Sequence, residues 1–176
     1  GQKLPSLMKS GASVRVSRPA VVCGNFFDTS LDLGTEGFDL VIGNPPWASR
    51  EKSADPMFRR WVQAHPELPV PGDQIACGFM WQTPSRLSAE GCACLLLPTA
   101  VLLNNTTGAF QQKWFGSVTV DRIVNFSDLS FVLFPGAKRP AVAVRFSREN
   151  GSGAQRDIVY ESPKVDVRSQ RGGPGV

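Results

Sequence analysis

Histidine is almost missing from this sequence: there is one, His65, in 176 residues. The four cysteines, Cys23, Cys77, Cys92 and Cys94, form one C-x-C and no C-x-x-C. Structural zinc sites take their ligands from such pairs or from histidines. No metal site is therefore expected, and the thiols read as buried, reduced cysteines of a cytoplasmic protein. Long apolar runs are missing as well. The longest, around Cys92–Pro98 and Pro140–Val144, fall far short of the ~20 residues of a spanning helix, so no membrane partner is expected. No basic–apolar–small-residue leader opens the chain, and there are no internal repeats. Hydrophobic residues make up 41% and charged residues 19%, too apolar a balance for a disordered chain. The length suits one domain. Nineteen basic against fifteen acidic residues leave a net charge of +4, which permits a polyanionic partner without demanding one. The start at Gly1 and the loose Arg171–Val176 tail suggest a piece of a longer protein.

Short apolar runs closed by turn residues predict strands buried on both faces at Ala20–Cys23, Phe38–Ile42 and Cys92–Leu97. Further strands are expected at Val118–Phe126 and Ala141–Phe146, with an edge strand at Asp157–Tyr160. Helices are expected at Met57–Ala64, within a long proline-rich connection, at Asp73–Ala89, where Pro84 is an interruption, and at Thr107–Phe115. Strands alternating with helices imply a doubly wound α/β sheet, mostly parallel. The last two main strands follow each other with no crossover helix, so one of them should be antiparallel. In such sheets ligands sit beyond the carboxyl ends of the strands. Two segments fall there: Gly24–Asp28 and Gly43–Trp47.

Gly43-Asn44-Pro45-Pro46-Trp47 is rich in acceptors. Pro45 and Pro46 have no N–H to donate, their carbonyls remain, and Asn44 adds an amide oxygen. Trp47 places a broad ring beside them. The set suits a planar substrate bearing an amine, held by acceptors and stacked on the ring. The competing reading is a strand terminator followed by a packing tryptophan, and on the tetrapeptide alone the two stand level.

The whole block Phe38-Asp39-Leu40-Val41-Ile42-Gly43-Asn44-Pro45-Pro46-Trp47 resembles the catalytic motif of adenine-specific DNA methyltransferases that use S-adenosylmethionine, the modification and fused restriction–modification enzymes of bacteria. Ala76–Phe79 through Gly91 to Leu97-Pro98-Thr99 resembles the helix and strand that follow it. Phe134-Pro135-Gly136 to Phe146 resembles the later loop and final strand. The resemblance spans about residues 20–148 and implies a Rossmann-like class I methyltransferase sheet with an antiparallel last strand. Residues 1–19 are then a lead-in and 149–176 an edge strand and flexible tail.

By this resemblance, Asn44 and the Pro45 carbonyl, with Pro46 fixing the turn, hold the N6 amino group of a flipped adenine. Trp47 stacks on that base, where most relatives have tyrosine, and Phe134 packs against it. Asn25 stands where the family usually has aspartate and contacts the adenine of the cofactor, S-adenosylmethionine. Phe26 flanks that ring through its backbone, and Phe79 packs on it. One departure stands out: residues 1–19 hold only Gly1 and Gly11, with no G-x-G after a strand to cradle the cofactor. The chain is therefore expected to be the catalytic, carboxyl-side part of the domain, inactive alone. Its partners would be DNA and the rest of the same enzyme: the glycine-rich cofactor loop upstream and a target-recognition region downstream. Asp39, Asp28 and His65 read as structural or solvated, and Arg59-Arg60 and Lys138-Arg139 as charge pairs within reach of phosphates. The alternatives are the same chemistry on a protein glutamine or an rRNA guanine, and a non-catalytic nucleic-acid-binding half-domain.

Overall fold

The structure is a computed structural model, and it describes residues 21–31, 33, 36–48, 55–133, 139–149 and 157–164. At its centre is β2 (Leu87–Pro98), which pairs parallel with β1 (Phe38–Gly43) on one side and antiparallel with β4 (Ala141–Arg148) on the other. Beyond β4, β3 (Val118–Asn125) pairs antiparallel with it, and β5 (Val159–Glu161) lies parallel at the edge, giving the order β1-β2-β4-β3-β5. The sheet is thus mostly parallel, with β4 running against the rest. The connections explain the directions. Parallel neighbours need a crossover, and α1 (Pro56–Ala64) and α2 (Ile75–Gln82) carry the chain from β1 to β2. Two more helices, α3 (Thr99–Leu103) and α4 (Gly108–Phe115), lead to β3. Among the described residues only a 3₁₀ turn (Ser127–Leu129) and the single turn α5 (Ser130–Leu133) stand between β3 and β4, and those strands pair antiparallel.

One face of the sheet carries the core. Ala93, Leu95 and Leu97 of β2, Val142, Val144 and Phe146 of β4, and Val118, Val120 and Ile123 of β3 pack under Cys77 and Met80 of α2 and Phe110 and Trp114 of α4. Trp114 is fully buried; its ring stacks on Phe110 and meets the edge of Phe146 at 5.1 Å. Its indole nitrogen donates to the Met80 carbonyl at 3.2 Å. In a continuing helix that carbonyl would accept from residue 84, which is Pro84. This corrects the helix expected over Asp73–Ala89: it ends at Gln82, a 3₁₀ turn spans Thr83–Arg86, and β2 begins at Leu87. Burial pushes the Cys77 thiol up to about 12, so it stays protonated and inert at neutral pH.

Two other expectations are corrected. Val21–Cys23 form no strand and lie exposed, Val21 by 92%, because no described strand lies beside them; Ala20 lies outside the described residues. Phe38–Ile42 is a strand but is not buried on both faces. It is the sheet's edge, and Leu40 and Ile42 point away from the core, 56% and 74% exposed. The short helices α3 and α5 were not anticipated, whereas α1, α4, β3, β4 and β5 lie within a few residues of their expected positions.

A second cluster, Phe27, Phe58, Trp61 and Ile75, joins α1 to α2 and to the loop after Gly24. Gly78 lets the elements approach: a Cβ there would sit 2.6 Å from Cε2 of Phe58 and 3.0 Å from the Phe27 ring. Gly78→Ala should therefore destabilise the intact protein by about 1–3 kcal/mol through overpacking, read from urea unfolding. Unchanged stability would show that the Phe58 ring gives way freely.

Candidate functional site

The Gly43–Trp47 segment leaves the carboxyl end of β1, while Phe26 and Phe27 of the other segment pack, with Ala48 after Trp47, into the cluster around Ile75 of α2. β1 ends at Gly43, and the chain turns through Asn44, exposed, Pro45, buried, and Pro46, exposed. The Asn44 amide makes no hydrogen bond to another described residue. Trp47 is half-buried, and its indole N–H points at the Leu96 carbonyl of β2 at 3.4 Å. The next carbonyl, Ala48, accepts from the Ile75 N–H at 3.1 Å, so the loop is tied to the first turn of α2. The outcome is a rigid backbone with one exposed amide and a tethered indole beside it.

The upstream segment is held differently. Asn25 closes a turn: its backbone carbonyl accepts from Asp28 N, and its Oδ1 accepts from Phe27 N at 2.9 Å. Its Nδ2 donates to Oδ2 of Asp55 at 3.0 Å, across thirty residues of sequence. Phe26 stacks on Phe79 of α2, centroids 4.1 Å apart and planes within 9°. Phe27 meets the edges of both rings and packs on Phe58 and Trp61. Asn25 is thus next in sequence to Phe26, and Phe26 lies on Phe79. Phe26 covers a face of Phe79, so a planar ligand on Phe79 has only the opposite face unless Phe26 moves.

Asp55 was not foreseen. It is the N-cap of α1: its Oδ1 accepts from Met57 N at 2.9 Å and Phe58 N at 3.3 Å, with Pro56 at the first helical position. The sequence signal was present, since Asp-Pro before a helical stretch marks a helix start. Burial alone would raise the Asp55 carboxyl, but the hydrogen bonds from Asn25, Phe58 and Met57 outweigh it and hold its pKa below the usual value.

Asp39, Asp28 and His65 have structural partners. Asp39 accepts from the Ser88 hydroxyl at 2.8 Å near the start of β1, the end remote from Asn44. The Asp28 carboxylate accepts from the Ser30 hydroxyl and N–H, which lower its pKa. His65 ends α1, stacks on Trp61 and bonds the Trp61 carbonyl through Nδ1, which must then carry the proton. Arg59, Arg60 and Arg139 are exposed. Phe134 and Lys138 lie outside the described residues. Among the described residues no three metal-binding side chains converge, and no helix is long and apolar enough to cross a membrane.

The sequence profile of the Eco57I restriction-modification methylases matches residues 14–132 of the 176. The chain belongs to this family. Solved structures share the fold. The methyltransferase subunit of a type I restriction-modification system from Streptococcus thermophilus superposes with a TM-score of 0.57 at 17% identity, over 78% of this chain and 29% of its own. The EcoKI M protein of a type I restriction enzyme gives 0.56 at 16% identity, over 82% and 30%. A class I S-adenosylmethionine-dependent methyltransferase from Listeria monocytogenes gives 0.54 at 13% identity, over 75% and 38%. The sheet thus has the fold of these structures, and the chain spans about a third of their length. A search of curated protein sequences found no match.

The Asp55 cap makes a pH prediction. In the folded chain the carboxyl's pKa lies below the ordinary value for an aspartate, 3.8. Its stabilisation is therefore complete above that value and is lost as pH falls through the lower, folded one. Amide chemical shifts of Met57 and Phe58, followed from pH 6 downward, should move only in that acid range. Asp55→Asn, which keeps a capping oxygen, should abolish the titration. A midpoint above 4 would mean that the carboxylate is not bonded as described.

Proposed function

We propose that this chain is the catalytic, carboxyl-side part of a restriction-modification enzyme that transfers a methyl group from S-adenosylmethionine to the N6 amino group of adenine in DNA. The observation that carries the reading is the Asn44–Trp47 loop. An exposed amide without a partner among the described residues stands at a strand end beside two residues that cannot donate and an indole anchored to the neighbouring strand. Such a loop can accept from an amine while stacking a base, and the family is one of DNA methylases.

When bound, the cofactor supplies an electrophilic methyl group on a sulfonium. The residues of this chain do the rest. The Asn44 oxygen and the Pro45 carbonyl accept the two amine hydrogens, which raises electron density on the nitrogen and aims its lone pair. Trp47 holds the base face-on. So held, the amine nitrogen would receive the methyl group that the cofactor would supply, and would release one proton to water. No covalent enzyme intermediate is needed; positioning and electrostatics carry the catalysis. The target base leaves its stack first, at a cost of a few kcal/mol that stacking on Trp47, worth about 1–3 kcal/mol, helps offset. By the sequence resemblance Phe134 is assigned to the same base. At the cofactor end, one lone pair of Asn25 Oδ1 and the outer face of Phe79 fit an aminated purine ring, with Phe26 beside it. The methionine and ribose parts are held by a glycine-rich loop outside residues 1–19, and a target-recognition region supplies sequence choice. Arg59, Arg60 and Arg139 offer phosphate contacts.

Two experiments follow. In the intact enzyme, Asn44→Ala should lower the single-turnover methylation rate by orders of magnitude while DNA affinity stays near normal, because phosphate contacts dominate that affinity. Trp47→Ala should impair capture of the extruded base, and the defect should shrink when the target adenine is mispaired. Asn44→Ala methylating adenine at the parental rate would reduce the loop to a strand terminator. A parent that methylates a protein glutamine or RNA guanine instead would leave the mechanism and change the substrate, and a parent inert on all three would leave a binding module. For the cofactor, titration calorimetry on the 176-residue chain alone should show binding weaker than submicromolar. Tight binding would mean that these residues hold the whole cofactor.

A further inference from the structure

We propose that Asp55 decides which end of the Asn25 amide faces the cofactor, and so makes the pocket select a purine that bears an amino group. The inference rests on the reading of Asn25 as the cofactor's purine contact and adds to it a residue nothing else assigns. An asparagine in place of a carboxylate brings an ambiguity. Its oxygen accepts and its nitrogen donates, and a half-turn about its last bond exchanges them. A site that must accept from an amine needs the oxygen outward every time.

The structure removes the ambiguity with two bonds of opposite sense. Phe27 N–H is a donor and takes Oδ1, at 2.9 Å. The Asp55 carboxylate is an acceptor and takes Nδ2, at 3.0 Å. A flipped amide would face donor with donor at Phe27 and acceptor with acceptor at Asp55, losing both bonds at once in a half-buried place. Oδ1 is left with its second lone pair, the only acceptor the side chain can offer.

The two oxygens of Asp55 divide the labour. Oδ1 caps α1 through Met57 N and Phe58 N, and Oδ2 alone holds Asn25. The two duties can therefore be separated by one atom. Asp55→Asn can keep its oxygen on the helix cap while presenting an NH₂ to the NH₂ of Asn25. Asn25 is then pulled both ways, by Phe27 N–H toward its present orientation and by residue 55 toward the flipped one, so its oxygen and its donor share the ligand side. Asp55 is a positioning residue: it touches Asn25 and the helix, and acts on the ligand through Asn25.

The test uses the intact enzyme and two probes, S-adenosylhomocysteine and its deaminated counterpart, S-inosylhomocysteine, which carries an oxo acceptor where the amine was. The parent should prefer the adenosyl probe by about tenfold or more, the scale of one hydrogen bond made or misdirected. In Asp55→Asn that preference should fall toward unity, with the thermal midpoint and the Met57 and Phe58 amide shifts at neutral pH close to parental. The reciprocal exchange, Asn25→Asp with Asp55→Asn, should restore it, because residue 25 then accepts from residue 55, from Phe27 N and from the ligand amine. A merely structural Asp55 would change both affinities together and leave their ratio alone. If the preference disappears in Asn25→Ala but survives in Asp55→Asn, or if the exchange does not restore it, the inference is wrong and the cofactor reading stands. If the parent binds neither probe, or Asn25→Ala keeps the preference, the cofactor reading of Asn25 fails and the inference with it.

Discussion

The first turn of α2 is the hinge pin of the site. Ile75 N–H donates to the carbonyl of Ala48, directly after the Asn-Pro-Pro-Trp turn, and one turn later Phe79 presents its ring to Phe26. Two loops that leave different parts of the chain are thereby held against one short helix. The helix itself is fixed from below, because Cys77 and Met80 enter the main core and Trp114 completes the Met80 carbonyl that Pro84 leaves open. Helix position, loop position and core packing are thus a single constraint, and Gly78 is the point where it is tightest.

The same arrangement leaves the sheet one-sided. Register places Leu40 and Ile42 of β1 beside Cys92 and Cys94 of β2, on the face opposite the main core. Among the described residues nothing covers that face or pairs with the outer edge of β1. An edge strand with exposed apolar side chains is a site for further pairing or packing. A doubly wound sheet is covered on both faces, and a chain that spans about a third of its structural relatives is consistent with one layer of such a domain.

What was legible in the sequence follows the range of the interactions. The Phe38–Gly43 strand and its Asn-Pro-Pro stop are local chemistry, and so is α1, whose Asp55-Pro56 start is written in two residues. The antiparallel β4 followed from a missing crossover. The errors lie where a distant partner decides. Val21 and Val22 have the composition of a strand but no described neighbour to bond. Ser88 and Ala89 fall in the stretch expected to be helix but belong to β2, which starts at Leu87 and comes so close to the Phe38 carbonyl of β1 that a side chain at Gly91 would collide. The Asn25–Asp55 bond spans thirty residues, and no spacing rule reaches that far. The stack of Phe26 on Phe79 is of the same kind: both residues were identifiable, their mutual contact was not.

The two asparagines at the mouth of the sheet show how differently one residue type is used. Asn25 is committed on both ends of its amide and keeps one lone pair in a fixed direction. Asn44 is exposed and bonds no described residue, on a backbone stiffened by two prolines. Under the proposed function the contrast has a reason. The cofactor's ring is one molecule, recognised identically at every turnover, so a pre-set acceptor saves ordering entropy each time. The target amine must rehybridise as it reacts, and its acceptor has to follow the hydrogens from plane to pyramid. A rigid peptide with a free amide permits this: the backbone fixes where the oxygen sits, and the last torsion lets it track the proton. Immobilising that one side chain costs about 0.5–1.5 kcal/mol on binding, less than a misaligned acceptor costs in the transition state, where an oriented hydrogen-bond partner is worth about 3 kcal/mol. Holding Asn44 as firmly as Asn25 would trade the larger quantity for the smaller.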